Sequence, residues 1–394
     1  MLRVLARSVA TLALASSLAH AAEPAAEGRD AAALQRPALT AARPAQAVLL
    51  TVARAGKRLV AAGERGLVIV SNDDGRSWTQ ATVPVSVTLT GLRFANDKEG
   101  WAIGNMGVVL RTQDGGSTWQ RALDGRAAAQ VALSAARAAF QAPGPGAGSS
   151  DATVALEDAQ RLVAEGADKP FLDIALRPDG SVLVVGAYGL AFASKDGGKT
   201  WQAQMQSLPN PDGLSYYGIA ERRGETFLFG EQGLLLRSAK AGEAFTTEVS
   251  PSTGTLFGAV AQRDGSLLLM GLRGKAWRSA EPGAPWALVQ TPVDASLFAG
   301  AQLSDGTTVM VGAAGQVLIS NDNGQKFRVA PIRVRFPFTG LAETADGALL
   351  LVGMRGVQRL ESPELKASAE SIRDARTPDE ARLTLKNPNP RNAS

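Results

Sequence analysis

Three arginines occupy one repeated slot in this 394-residue chain. Arg65, Arg273 and Arg355 each stand directly before the second glycine of a Gly-x-x-Gly turn. Guanidinium groups that converge on one surface suit carboxylate or phosphate groups of a partner, because the planar fork donates two parallel hydrogen bonds. Solvated turn residues would look the same in sequence. Arg93, early in a neighbouring apolar run, is a further candidate, and Asp173 puts a carboxylate where the matching units carry Gly91, Gly218, Gly258, Gly300 and Gly340. Tyr188 and Tyr216 complete the candidate partner-binding set, with Tyr217 and Glu231 close by in sequence.

What is missing narrows the chemistry further. The chain has no cysteine, and its one histidine is His20. His20 falls within an expected secretory leader, residues 1–21: Arg3 and Arg7 begin it, Val9 to Ala19 is apolar, and Ala19-His20-Ala21 is a small-x-small cleavage site. The mature chain then lacks the usual zinc, copper and haem ligands, and the base of a Ser-His-Asp or Cys-His pair. No metal or cofactor is expected. No later apolar run reaches membrane-spanning length, so direct membrane insertion is not expected, and a periplasmic location follows. The formal charge of +4 is scattered without a basic run, which gives no footprint for nucleic acid.

The elements that must position these residues repeat. The glycine pairs are Gly63/Gly66, Gly104/Gly107, Gly186/Gly189, Gly230/Gly233, Gly271/Gly274, Gly312/Gly315 and Gly353/Gly356, with first glycines 41, 82, 44, 41, 41 and 41 residues apart. A period near forty with several short apolar runs per unit signals a β-propeller. The unit from Phe171 to Ala203 reads as four strands separated by Pro178-Asp179-Gly180, Ala187-Tyr188 and Ser194 to Trp201. The expected fold is all-β, a seven-bladed β-propeller of four-stranded antiparallel blades over residues 47–361. Within it, residues 122–168 form a helical hairpin inserted between blades 2 and 3. Gly125 to Gln141 is Ala-rich, and Asp151 caps a second helix to Glu165 with Val154, Leu156, Ala159, Leu162 and Val163 on its apolar face.

A second element recurs before the fourth strand of each unit, Ser/Thr-x-Asp-x-Gly-x-x-aromatic. Its complete copies hold Asp73 and Trp78, Asp114 and Trp119, Asp196 and Trp201, Asp322 and Phe327; Ser238 to Phe245 and Ser279 to Trp286 keep the outline. This resembles the Asp-box of bacterial neuraminidases and many other propellers. The Asp is expected to accept backbone N–H groups within the turn, the Gly to take a positive φ, and the aromatic to pack outward. The role is structural, since a calcium loop needs more ligands.

Residues 22–46 form an N-terminal linker, in which Pro37 to Ala42 is a candidate for the missing outer strand of blade seven, with the segment after Glu361 as the alternative. Residues 362–394 are polar and read as a disordered tail. Strand alternation puts the Gly-x-x-Gly turns, the inter-blade connections and the helical insertion on one face and the Asp-boxes on the other. Phe171, Tyr216-Tyr217, Phe257, Phe298 and Phe338 open the first strands. Most should pack between blades, as Trp101 and Trp277 do, and a minority should line the channel mouth.

The stretch from Trp101 to Trp119, WAIGNMGVVLRTQDGGSTW, resembles the repeat of the photosystem II stability/assembly factor family, and the likeness extends over Val48 to Leu360 outside the insertion. The resemblance implies a non-enzymatic propeller that assists assembly or operation of a membrane protein complex. Through exported relatives it extends to transporters of the resistance-nodulation-division class. Against it stand a sialidase-like glycoside hydrolase, for which Tyr188 and Glu231 would have to serve, and a passive glycan-binding propeller.

Overall fold

A computed structural model describes residues 32–142, 149–240, 244–332 and 335–361. The expected leader at 1–21 and the polar tail at 362–394 lie outside them. The described chain folds into seven antiparallel sheets in sequence order, spanning residues 49–80, 89–123, 171–203, 216–247, 256–289, 297–329 and 338–360. Six have four strands. The seventh has three among the described residues, so four strands in every blade is corrected there.

The second strands show why these runs form sheets. Leu59 to Gly63, Val182–Gly186, Leu267–Gly271 and Leu349–Gly353 are buried at every residue, with no polar side to the alternation. A strand covered on both faces reads as a continuous apolar run. In the third sheet, Val182 and Val184 join one apolar cluster with the second sheet, while Leu183 and Val185 join another with the fourth. Each gap between consecutive sheets holds one such cluster. The seventh unites Leu49, Leu59 and Ile69 of the first sheet with Leu350 and Val352 of the last. The first strand of each sheet also packs against the first strands of its two neighbours, including the last against the first.

Two helices stand between the second and third sheets: α1 (Gly125–Gln141) and α2 (Ser150–Glu165). The Asp124 side chain caps α1 by accepting from the Arg126 and Ala127 amides at 3.1 and 3.0 Å. The cap of α2 is Ser149, accepting from the Ala152 amide at 3.2 Å, and not Asp151, which sits in the first turn. Ala128, Ala132, Leu133, Ala136 and Ala159 seat the pair on the cluster between sheets two and three. Leu156, Leu162 and Val163 pack beside them, but Val154 is exposed.

The N-terminal segment does not supply the outer strand of the seventh sheet. Leu34 is buried in the gap between sheets one and two, Ala38 N donates to Val83 O at 3.0 Å, and Gln80 is bonded to both Leu39 and Ala41. The chain then reaches the seventh sheet only as the short 3-10 turn Pro44–Gln46, which packs on Gly356–Leu360. Pro37 and Pro44 have no N–H to give a strand ladder, and the Gln80 side chain takes the backbone groups in between.

The Asp-bearing turns close on themselves. Asp73 accepts from Ser71 Oγ at 2.8 Å, Ser77 N at 2.9 Å and Ser77 Oγ at 2.5 Å, and Gly75 N donates to Ser71 Oγ at 2.9 Å. Asp114, Asp196 and Asp322 repeat the pattern. The aromatic does not face outward. Trp119 and Trp201 are buried in the gaps, Trp119 against Phe94 and Trp201 against Trp101, while Trp78 and Phe327 are half-buried at the edges of such clusters.

Candidate functional site

The Gly-x-x-Gly turns link second strands to third. In five of them the residue before the second glycine takes the left-handed conformation: Arg65, Met106, Tyr188, Gln232 and Arg273, at φ 53, 60, 56, 51 and 55°. The following glycine is also at positive φ, the pairing that a type I′ turn requires. Only glycine fits the second position, because a Cβ on Gly66 would collide with the Val85 carbonyl and one on Gly274 with that of Val293. Val85 and Val293 belong to the connections to the next sheet, so turns and connections share one end of the ring. The start of α1 lies there too, since Gly107 abuts Gly125.

Arg65, Arg273 and Arg355 all project from this end, exposed, and none has an ion-pair or hydrogen-bond partner among the described residues. They belong to sheets one, five and seven, so Arg65 and Arg355 sit on neighbouring sheets. Leu272 and Met354, at the preceding turn positions, are exposed beside them. The face therefore mixes free cations with apolar groups.

Arg93 and Asp173 do not join that set. Register puts Arg93 opposite Trp101, at the far end of its strand from the Gly-x-x-Gly turn. Its Nη2 meets Asp173 Oδ1 at 3.1 Å. Asp173 also accepts from its neighbour Ile174 N at 2.8 Å, and its second oxygen accepts from Ile219 N at 2.9 Å. The carboxylate thus ties the first strands of sheets two, three and four. Its slot holds Thr51, Gly91, Gly218, Gly258, Ala299 and Gly340 elsewhere. In the sixth sheet Ala299 holds that slot and not Gly300, since Ala299 pairs with Val311, the residue before the turn glycine, and Gly300 pairs one step further along with Met310.

Tyr216 is fully buried between sheets three and four, its hydroxyl pushed up to about 12 chiefly by that burial, and it offers nothing to a surface ligand. Tyr188 is exposed, and Lys169 Nζ lies 5.0 Å from its ring centroid, itself held by Glu165 and Asp168 at 2.7 Å each. Tyr188 N donates to Ser215 Oγ, while Glu231 accepts from Ser215 N. Tyr188 and Glu231 thus share a backbone neighbour without forming a hydroxyl–carboxylate pair. A cleft of about 780 Å³ separates α2 from this turn, lined by Val154, Leu162, Met205 and Asp212 among others.

Sequence spacing left two features unseen. One is a buried ionic cluster, in which Glu225 accepts from Arg222 Nε and Nη2 at 2.9 and 2.7 Å and from Arg237 Nε at 2.8 Å, and Arg222 Nη1 reaches Ser279 Oγ at 3.0 Å. The other is an aromatic row, Tyr217 on Phe257 and Phe257 on Phe298, edge to face with centroids 5.2 and 5.5 Å apart. The only sequence signal for the row is the large residue opening each first strand, which does not say which ring faces the axis.

Among the described residues no group of His, Cys, Asp and Glu is arranged to hold a metal, and no helix is long and apolar enough to cross a membrane.

A family profile described as photosynthesis system II assembly factor YCF48 matches residues 70–140 and 153–286, just over half of the chain. The chloroplast photosystem II stability/assembly factor HCF136 of Guillardia theta is 42% identical over 45 residues, which is 11% of this chain and 11% of that relative's length. Among solved structures, YCF48 bound to D1 peptide superposes with TM-score 0.58 at 18% identity, covering 82% of this chain and 98% of that one. YCF48 from Cyanidioschyzon merolae gives 0.57 at 16%, covering 82% and 97%. A catalytically inactive virginiamycin B lyase from Staphylococcus aureus with quinupristin gives 0.59 at 14%, covering 82% and 97%. At these identities the superpositions establish a shared fold, with assembly factors and enzymes both built on it.

Proposed function

This chain belongs to the photosynthesis system II assembly factor YCF48 family, and from that premise we propose that it is a non-catalytic seven-bladed β-propeller that docks a segment of a membrane-protein subunit. The seven sheets are its blades, α1 and α2 its inserted hairpin, and the expected leader exports it to the periplasm. The observation that carries the reading is the trio Arg65, Arg273 and Arg355, exposed and without a partner among the described residues, on the face where turns and connections meet. Loops at one end of a rigid ring are where such a scaffold carries binding, and free guanidinium groups fit carboxylates of a partner. That a relative's structure holds a D1 peptide supports a polypeptide of a membrane complex as the ligand class. For this chain a resistance-nodulation-division transporter is one complex to look for.

The test is in-cell photocrosslinking from Leu272 and Met354, followed by identification of the captured proteins. The expected result is one membrane-protein subunit, lost in the Arg65→Ala, Arg273→Ala, Arg355→Ala triple variant. That variant should keep its stability within about 0.5 kcal/mol, as exposed substitutions do. No specific capture refutes docking. Turnover of a sialoside or another glycoside would refute the non-catalytic part.

A further inference from the structure

In all seven sheets the pairing of the first strand with the second slips by one residue at the same place, between Leu49 and Thr51, Leu89 and Gly91, Phe171 and Asp173, Tyr216 and Gly218, Leu256 and Gly258, Leu297 and Ala299, and Phe338 and Gly340. A bulge re-aims the side chain of the extra residue. The seven residues so placed are Leu50, Thr90, Leu172, Tyr217, Phe257, Phe298 and Thr339. Every one is half-buried, while the residue before each is fully buried between sheets. They ring the axial mouth on the face of the Gly-x-x-Gly turns, because the preceding residue pairs with the first glycine of the turn in each sheet.

The ring is lopsided. Thr90 and Thr339 donate their hydroxyls across the sheet boundary to Phe171 O at 2.7 Å and Leu49 O at 3.1 Å. Sheets three to six contribute Leu172, Tyr217, Phe257 and Phe298 in succession, an apolar arc with the last three rings in edge-to-face contact. No residue of the ring is charged. Arg273 stands on the fifth sheet, within the span of the arc, Arg355 on the seventh, next to the sheet where the arc ends, and Arg65 on the first.

We propose that this arc takes an apolar side chain from an acidic, extended polypeptide segment whose carboxylates meet Arg273 and its two counterparts. The inference rests on the docking reading above and names the chemistry that it selects. Free cations beside an uncharged arc complement a segment that alternates carboxylates with an aromatic or branched apolar group, since buried apolar area supplies affinity and charge supplies orientation.

The test uses the mature chain and two fluorescein-labelled nonapeptides with the same Asp and Glu flanks, one with Phe-Leu at its centre and one with Ser-Ser, read by anisotropy. Phe257→Thr and Phe298→Thr are the variants, because Thr90 and Thr339 show that the ring tolerates threonine in this slot; circular dichroism checks each fold. The wild type should prefer the Phe-Leu peptide by about tenfold or more, the contribution of one buried apolar side chain. Each threonine variant should lose most of that preference while holding the Ser-Ser peptide as before. Arg273→Ala should weaken both peptides alike. Equal wild-type affinity for the two peptides, a preference that survives both threonine variants, or equally tight binding of an uncharged Phe-Leu peptide or a neutral oligosaccharide overturns the proposal. If neither peptide binds, capture in cells decides. Capture unchanged by Phe257→Thr overturns the apolar arc alone, and no capture by any form overturns docking as well.

Discussion

Asp173→Ala separates a structural carboxylate from a ligand-binding one. Truncation strands two half-buried donors, Ile174 N and Ile219 N, which lose acceptors at 2.8 and 2.9 Å. A donor left without a partner away from bulk water costs about 1–3 kcal/mol, toward the lower end when partly exposed. The ion pair with Arg93 adds less than about 1 kcal/mol, because half of the Arg93 side chain is in solvent. The sum is about 2–4 kcal/mol for Asp173→Ala and under about 1 kcal/mol for Arg93→Ala. Urea unfolding followed by tryptophan fluorescence and far-ultraviolet circular dichroism measures both, and coincident transitions license the comparison. Partner capture should survive Asp173→Ala at temperatures where the ring stays folded. An Asp173→Ala cost within 0.5 kcal/mol of zero, or no larger than that of Arg93→Ala, would refute the reasoning. Loss of capture at unchanged stability would return Asp173 to the binding site.

Two further outcomes follow from the same hydrogen-bond accounting. Glu225→Ala leaves the buried Arg222 guanidinium without its carboxylate and should cost about 3–5 kcal/mol, whereas replacing Arg222 and Glu225 together by leucine should recover much of that loss; urea midpoints of the single and double variants decide. Asp73 and Asp196 are held at about 2, the first mainly by the Ser77 hydroxyl and the second mainly by the Thr200 hydroxyl. Unfolded carboxyls titrate near 3.9, so between about pH 4 and pH 2 the unfolded chain binds more protons. The stability these turns contribute is complete above about pH 5 and drains away as pH falls through that window. Calorimetric Tm values should fall accordingly, and Asp73→Asn with Asp196→Asn should be less stable at pH 7 yet show a flatter acid slope. A parallel slope would contradict the assignment.

Much of this protein is legible in its sequence because its constraints are local and repeated. A Gly at positive φ against a neighbouring carbonyl, an Asp that folds its own turn, and an apolar run covered on both faces are written into a few adjacent residues. They return at a fixed interval, which is why the sheets, the two helices and the shared face of Arg65, Arg273 and Arg355 can be read without coordinates. The absence of cysteine and the position of His20 likewise bound the chemistry by composition alone.

Tertiary structure decided what depends on register and on neighbours distant in sequence. A one-residue bulge turns Tyr217, Phe257 and Phe298 toward the axis while burying Tyr216. Arg93 and Asp173 neutralise each other across 80 residues, and Glu225 gathers two arginines from adjoining strands. The aromatic of each Asp-bearing turn faces inward, because the gap between sheets gains more from a large ring than solvent does. Strand spacing cannot report these pairings: each is set by which backbone happens to lie opposite once the ring is assembled.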